Sequence, residues 1–574
     1  MRFNFGEAAI KNTNALLICS FCMLVLAKAL LSINFQSPWI MPDEVSYAKM
    51  AGDIFGSVHS DLSRGYPLLL SIAYLSSGDM NVVYHSMLLI NCFLSSLILF
   101  PSYFILNKYC PKDFSFLGAM AVATLPSLTL YTFLIMTENL FIPIFIFSIW
   151  FLLEAYEKEK PIWIFLAILS VTLLFFTRHT GIFMVISMAF SLIHYLLFGV
   201  RQKYLKQLVS GSSALTIFTA FTALFLAISG LVLSISHGHS YLKWMYDRTS
   251  SDSQIFLTLF TDFRHLKTYL ALLQNEMGYM IVVTYFIFSV LSLMFFLNVF
   301  LPLGRRCISP SFLNWYKSLR IEKKHSLKST SIYFLLTSVV LILTTTMYVY
   351  RLNWEIIGRY IDPIIPGLFL FGLIALYQID ENFNKRNFGL IVISAIIFSA
   401  AFFLNFPASL LPDQIAVFYI NFLTSRAPDW MIFPALAAGF FLLLYIYFNF
   451  KKNRLILFTA LMIVSVCASA YTYQQDLVFI SETNHAQNQI GAFLNMHSNS
   501  DNLPILMDME DSKRDWYFAS LTKFWTKKTI SNCNLNETLL DLEDSKKNAY
   551  LITSKVLPLE PLAVSTRGFY LYRF

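Results

Sequence analysis

The chain has 574 residues, of which 57% are hydrophobic, 17% aromatic and only 13% charged. A soluble globular protein carries roughly twice that share of charge, so the composition excludes a soluble domain and points to a polytopic membrane protein. The formal net charge of +8 does not indicate nucleic-acid binding, because Lys and Arg fall in short clusters between apolar runs, the pattern that sets membrane orientation.

Apolar runs of ~20 residues can span a bilayer, and about thirteen candidates occur. In chain order they lie near 13–34, 82–107, 114–134, 137–153, 161–176, 180–199, 208–236, 277–303, 330–350, 360–378, 387–405, 430–449 and 454–472. The first is expected to be an uncleaved anchor. Ala27-Lys28-Ala29 imitates a cleavage site, but the run continues past it and the preceding residues are weakly basic. An odd number of spans places the two chain ends on opposite sides. With a cytoplasmic N-terminus, the inner segments collect Arg2, Lys11, Lys108, Lys112, Lys158, Lys160, Arg201, Lys203, Lys206, the block 305–328, Lys385, Arg386, Lys451, Lys452 and Arg454. The outer loops hold about half as many basic residues, so parity and positive-inside bias agree.

That orientation places Asp43, Glu44, Glu138, Arg178, Arg359 and the C-terminal segment on the outer face. The outer loop 35–81 mixes Tyr47, Met50, Ile54 and Phe55 with polar residues and then runs apolar from Tyr66 to Leu75, which predicts interfacial helices. A second outer loop, 237–276, is rich in aromatics and charges, and a third spans about 406–429. From Gln474 hydropathy falls. Pro504–Met507, Thr529–Ile530, Ala549–Thr553 and Gly568–Tyr572 read as strands, with helical character over Asp511–Phe524. The expected fold class is thus an α-helical polytopic membrane protein of about thirteen spans with outer-face juxtamembrane helices, plus a small C-terminal α/β extracytoplasmic domain. The expected division is 1–473 and 474–574.

Cysteines Cys19, Cys22, Cys92, Cys110, Cys307, Cys467 and Cys533 form no disulfide framework and no metal spacing. Asn536-Glu537-Thr538 matches a glycosylation sequon, a triplet that is common by chance. No glycine-rich phosphate loop is present, which argues against a nucleotide-powered pump.

The outer-face ionisable residues carry the chemistry. A carboxylate costs little at the interface and several kcal/mol in hydrocarbon, so Asp43 and Glu44 in Pro42-Asp43-Glu44 are placed to meet a lipid-borne substrate. Asp43 could take a proton from an incoming hydroxyl and make its oxygen a nucleophile. It could equally cap the following helix, and the two roles are compatible. Glu138 opens the fourth run and could divide labour with the first acids by orienting the acceptor or pairing with a cation; a place in a helix's first turn is the blander reading. Arg178 and Arg359 stand where helices leave the membrane and could hold a phosphate bidentately, against the commoner snorkelling arginine. Arg64 and Lys243 are weaker members of that cationic pool. His179, His59, His237 and His239 face outwards without the spacing of a helical metal site. Tyr47, Trp244 and Tyr360 could stack on a sugar ring.

The first span, the outer Pro42-Asp43-Glu44-Val45-Ser46-Tyr47 with the later Gly65-Tyr66-Pro67-Leu68-Leu69, the acid opening the fourth helix and the outer Gly358-Arg359-Tyr360 before a proline-containing helix together resemble one superfamily. It is that of the C-type integral-membrane glycosyltransferases, in particular lipid A aminoarabinose transferases and protein O-mannosyltransferases. The resemblance covers nearly the whole chain in topology, on short motifs. It implies an inverting transferase in a bacterial plasma membrane, with a polyprenyl-phosphate sugar as donor and a lipid, glycan or protein hydroxyl as acceptor. Asp43 would be the base, Glu138 the second acid and Arg359 a phosphate contact. Many members carry Asp where this chain has Glu138, and a more proline-rich version of Gly65-Tyr66-Pro67; both departures bear on the acceptor. No acidic triplet demands a metal, so no cofactor is expected, although the family reading allows a divalent ion.

Two other classes compete. A secondary transporter would place its ionisable residues near the bilayer midplane and show inverted repeats, whereas here they gather at helix ends. A polysaccharide polymerase or ligase shares the lipid-linked donor but fits the Asp-Glu position and the C-terminal segment less well.

Overall fold

The computed structural model describes residues 13–38, 42–53, 62–199, 261–285, 287–300, 315–352, 358–378, 454–497, 503–508, 522–526, 530–535, 538–539, 548–565 and 569–574. Expected spans 208–236, 387–405 and 430–449, loop 406–429 and most of loop 237–276 lie outside these residues. So do Lys243, Trp244, His59, His237, His239 and part of the sequon.

Among the described residues, five helices are long and apolar enough to cross a membrane: Thr13–Ser32, Met80–Asn107, Glu138–Lys158, Gly181–Phe198 and Ile321–Arg351. The number rises to seven if each of two bent pairs counts as one span. Lys112–Ala123 and Pro126–Phe133 meet at 56°. Pro126 lacks an N–H and disfavours a helical Leu125, so the run read as one span at 114–134 breaks there. Phe263–Val283 and Phe288–Phe300 meet at 103°. Here Tyr285 takes a left-handed conformation (φ 53°), the backbone state in which helices commonly end. The run expected as one span at 277–303 is therefore broken. The last part of the expected outer loop, from Phe263, is already helix because Asp262 accepts a hydrogen bond from the Arg264 backbone N–H and starts it.

The described chain divides into two compact units. The first takes residues 1–23, 94–130 and 138–470. Its helices pack through aromatic and small-residue contacts. Phe288 stacks on Phe369 at 4.0 Å, and Phe296, Phe334 and Phe371 form a cluster with centroids 5.0–5.7 Å apart. Gly367 gives room to Phe334, whose ring carbon would lie 2.2 Å from an added Cβ. At one end of this unit Lys108 joins Glu154 and Glu157, each at 2.8 Å, and Lys158 joins Glu154 at 2.7 Å. These residues belong to the segments that the positive-inside rule assigns to the cytoplasmic side.

The second unit takes 24–93, 131–137 and 471–574. Its C-terminal segment contains a five-stranded sheet of β1 (Ile505–Asp508), β2 (Ile530–Cys533), β3 (Tyr550–Thr553), β4 (Ala563–Val564) and β5 (Tyr570–Arg573), in the order β2-β1-β3-β5-β4. β1 pairs in parallel with β2 and β3, while β5 runs antiparallel to β3 and β4. Ile505, Met507, Ile530, Tyr550, Ile552 and Leu571 close a core against Ile490 and Leu494 of the helix Gln489–His497. The four predicted strands are present, and the two-residue β4 is too short to leave a period in the sequence.

The C-terminal segment is stitched to the chain that precedes Asp43. Ser481 Oγ accepts from the Gln36 and Ser37 N–H groups, each at 3.0 Å, and donates to the Ser37 carbonyl at 2.7 Å. Asn484 donates to the Pro38 carbonyl, the Tyr473 hydroxyl to that of Leu31, and the Tyr84 hydroxyl to that of Ser37. Asp79 accepts from the Asn495 amide, and this bond with those from Asn81 holds its carboxyl below the usual range.

Candidate functional site

In the second unit, the helix Pro42–Gly52 carries Asp43 and Glu44 in its first turn, where the helix dipole favours negative charge. The two acids differ. Asp43 is half-buried, whereas Glu44 is 0% exposed and its Oε1 accepts the Ile135 backbone N–H at 3.0 Å. Glu44, expected at the surface with Asp43, is thus a buried acceptor that holds the 131–137 segment. The i, i+1 spacing turns the two side chains about 100° apart on a helix, which is why one faces the core.

Tyr47 is also buried, at 5% exposure, and meets the Tyr66 ring edge-on at 5.5 Å. The Tyr66 hydroxyl donates to Asn91 Oδ1 and the Asn91 amide to the Leu134 carbonyl, both at 2.8 Å. Tyr47 therefore supports the helix and offers no open face to a sugar, which corrects the expected stacking role. Arg64 is half-buried and precedes the helix Gly65–Leu70. That helix and its continuation to Leu75 expose Leu68, Ile72 and Leu75 and bury Tyr66, Leu70 and Ala73. Such a face fits the interfacial reading.

Lys49, on the same helix as Asp43, was missed in the sequence. Burial, and then the charge of Lys523, lower its pKa to about 8. Because the folded value lies below the reference 10.5, the unfolded chain holds the proton more tightly. The Lys49 charge therefore costs stability below pH 8, and that cost is relieved as pH rises from 8 to 10.5. Lys49→Met is expected to raise the melting temperature near neutral pH, with the gain shrinking above pH 8; a pH-independent gain would point to packing alone.

In the first unit, Glu138 opens the helix Glu138–Lys158, and Arg178 ends the helix Pro161–Thr177 with an extended backbone (φ −152°, ψ 144°). Their side chains, 1% and 10% exposed, form an ion pair at 2.7 Å. The Arg178 guanidinium also lies over the Tyr360 ring at 4.6 Å and the Phe141 ring at 5.8 Å. Arg359, itself only 9% exposed, sits 5.1 Å from the same Tyr360 ring. Tyr348 meets Tyr360 edge-on at 5.4 Å and has Arg351 over its ring at 5.2 Å. Glu138, Arg178, Arg359 and Tyr360, separated by up to 222 positions in the sequence, are thus one cluster. His179 is half-buried in the turn between Arg178 and the next helix.

The cluster gathers guanidinium groups around the Glu138 carboxylate in a largely dry setting, where electrostatic attraction for an anion is strengthened. The sequence missed Tyr348 and Arg351, whose only signal is their i, i+3 spacing at the end of the long helix Ile321–Leu352. Among the described residues no three His, Cys, Asp or Glu side chains are grouped as a metal site would need.

Residues 70–228 match the family described as dolichyl-phosphate-mannose-protein mannosyltransferase; this stretch includes Glu138 and Arg178 but neither Asp43 nor Arg359. The structure is similar to that of ArnT from Cupriavidus metallidurans in the apo state, with a TM-score of 0.50, 12% identity and 97% of each chain covered. ArnT from the same organism bound to undecaprenyl phosphate gives a TM-score of 0.48 at 12% identity, covering 99% of this chain and 98% of that one. The archaeal oligosaccharyltransferase AglB from Archaeoglobus fulgidus gives 0.42 at 12% identity, covering 93% and 69%. No curated protein matches the chain significantly in sequence. At 12% identity, the likeness to ArnT in the apo state shows a shared fold.

Proposed function

We propose that this protein transfers a sugar from a polyprenyl-phosphate donor to an acceptor hydroxyl of a lipid, glycan or protein, at the outer face of a bacterial plasma membrane and with inversion. The observation that carries this reading is the placement of Arg178 and Arg359 around the Tyr360 ring, at 4.6 and 5.1 Å. Two guanidiniums, one buried and one about a tenth exposed, suit in one place a phosphate that gains charge as it leaves. The mannosyltransferase family match over 70–228 and the ArnT-like fold support it.

In this reaction the acceptor oxygen forms a bond to the anomeric carbon as the bond from that carbon to the phosphate oxygen breaks. The electron pair of the broken bond stays on the polyprenyl phosphate, and the acceptor proton passes to the Asp43 carboxylate. Arg359 holds the phosphate, and Glu138 fixes Arg178 beside it. Lys243, Arg64 and His179 belong to the binding surface in this proposal. No metal is required, because inversion by a carboxylate base with guanidinium support of the leaving group needs none.

The direct test is transfer from a polyprenyl-phosphate sugar by the purified protein in lipid. Arg359→Ala is expected to lower kcat/KM for the donor by about 10²-fold, the scale for losing one donor to developing charge, with a smaller change for the acceptor. An equal loss for both substrates would remove Arg359 as a phosphate contact.

A further inference from the structure

Beside the arginine cluster, the first unit contains a buried contact that neither the reaction nor the sequence motifs use. The Tyr279 hydroxyl donates to Asp362 Oδ1 at 2.8 Å, and both residues are 0% exposed. Asp362 opens the turn Asp362–Ile364, which only Ile361 separates from the turn Gly358–Tyr360 that carries Arg359. The two turns are linked in series: the Ile361 N–H donates to the Gly358 carbonyl at 2.8 Å, and the Ile364 N–H to the Ile361 carbonyl at 2.9 Å. Tyr279 also touches the first turn. A Cβ built on Gly358 would lie 2.2 Å from Tyr279 Cζ, 2.4 Å from its oxygen and 2.6 Å from Cε2. Only a glycine lets the phenol tip lie against the backbone there, one residue before Arg359.

We infer that Tyr279 and Asp362 are positioning residues that clamp the Gly358-Arg359-Tyr360 turn from both ends and so fix the Arg359 guanidinium for the donor phosphate. The inference rests on the reading of Arg359 as a phosphate contact. Tyr279 grips the turn twice, by ring contact at Gly358 and by its hydroxyl at Asp362. Both ends of this hydrogen bond are fully buried, where a polar group left without its partner is costly. A phosphate contact gains from such bracing because a guanidinium must be held within a few tenths of an ångström to meet two phosphate oxygens.

The test uses the full chain in detergent micelles, with undecaprenyl phosphate as probe and two readouts: the rise in melting temperature that the probe produces, and the split between donor KM, acceptor KM and kcat. Tyr279→Phe removes one oxygen and keeps the ring; it is expected to raise donor KM roughly tenfold and shrink the thermal shift, with acceptor KM unchanged. Asp362→Ala should do the same. Asp362→Asn, whose amide oxygen still accepts from Tyr279, should largely restore both readouts. Gly358→Ala should displace the turn and act on the donor in the same direction; if it does not fold, Tyr279→Phe decides alone. Should Arg359→Ala abolish the thermal shift while Tyr279→Phe and Asp362→Ala leave it intact, the clamp is wrong and the phosphate reading stands. Should Arg359→Ala itself leave the shift unchanged, the phosphate reading fails and takes this inference with it.

Discussion

Asp43→Asn is expected to abolish sugar transfer, lowering kcat by about 10²- to 10⁴-fold, the range for loss of a general base. The substitution preserves shape and removes only the capacity to take the acceptor proton. Asp43 is half-buried in the first turn of Pro42–Gly52, and asparagine is also tolerated early in a helix, so expression and melting temperature should change little. Donor KM should hold, because the phosphate contacts lie on other residues. Glu44→Gln is the useful comparison. Glu44 is fully buried on the Ile135 amide, so its loss should act on stability first. A variant Asp43→Asn that retains wild-type turnover would remove Asp43 as the base.

Glu138→Ala is expected to cost about 3–5 kcal/mol of stability, because it removes the carboxylate paired at 2.7 Å with the Arg178 guanidinium, which is only 10% exposed. The double variant Glu138→Ala, Arg178→Ala should recover part of that loss, since both buried charges are then gone. Glu138→Asp keeps the charge but shortens the arm by one methylene. It should therefore weaken the 2.7 Å pair and raise donor KM more than it lowers stability. Thermal melts of the four proteins in one detergent, with donor kinetics alongside, check this. Equal melting temperatures for the wild type and Glu138→Ala would mean that the ion pair contributes nothing.

Much of this was legible in the sequence because the physics is local. Apolar runs of membrane-spanning length and the short strands of the C-terminal segment leave marks within a single stretch of sequence, whereas the break at Pro126 is hidden because hydropathy alone reads 114–134 as one span. The acids at helix starts, where the dipole favours them, leave such marks too. Most of what the sequence hid is non-local. Nothing in Glu138 and Arg178 separately says that they pair, because their contact depends on two helices returning to one end. The fates of Asp43 and Glu44 diverge through a rotation about the helix axis that composition does not fix. Tyr47 has the chemistry of a sugar platform but meets Tyr66 first. Tyr279, 83 positions from Asp362, is one of 30 tyrosines and carries no local signal. The helix break at Tyr285 escaped for the opposite reason: it lies within a mostly apolar run, so hydropathy cannot register a change of direction.

The bonds from Ser481, Asn484 and Tyr473 to residues 31–38 have a consequence for biogenesis. The stretch leading to Asp43 leaves the ribosome early, yet the groups that fasten it are made more than 400 codons later. The path of residues 31–38 can therefore be fixed only once residues 473–484 have been made. An early stop near residue 470 would leave a protein that keeps Asp43 and the clustered arginines but has lost the moorings of the polypeptide leading to Asp43.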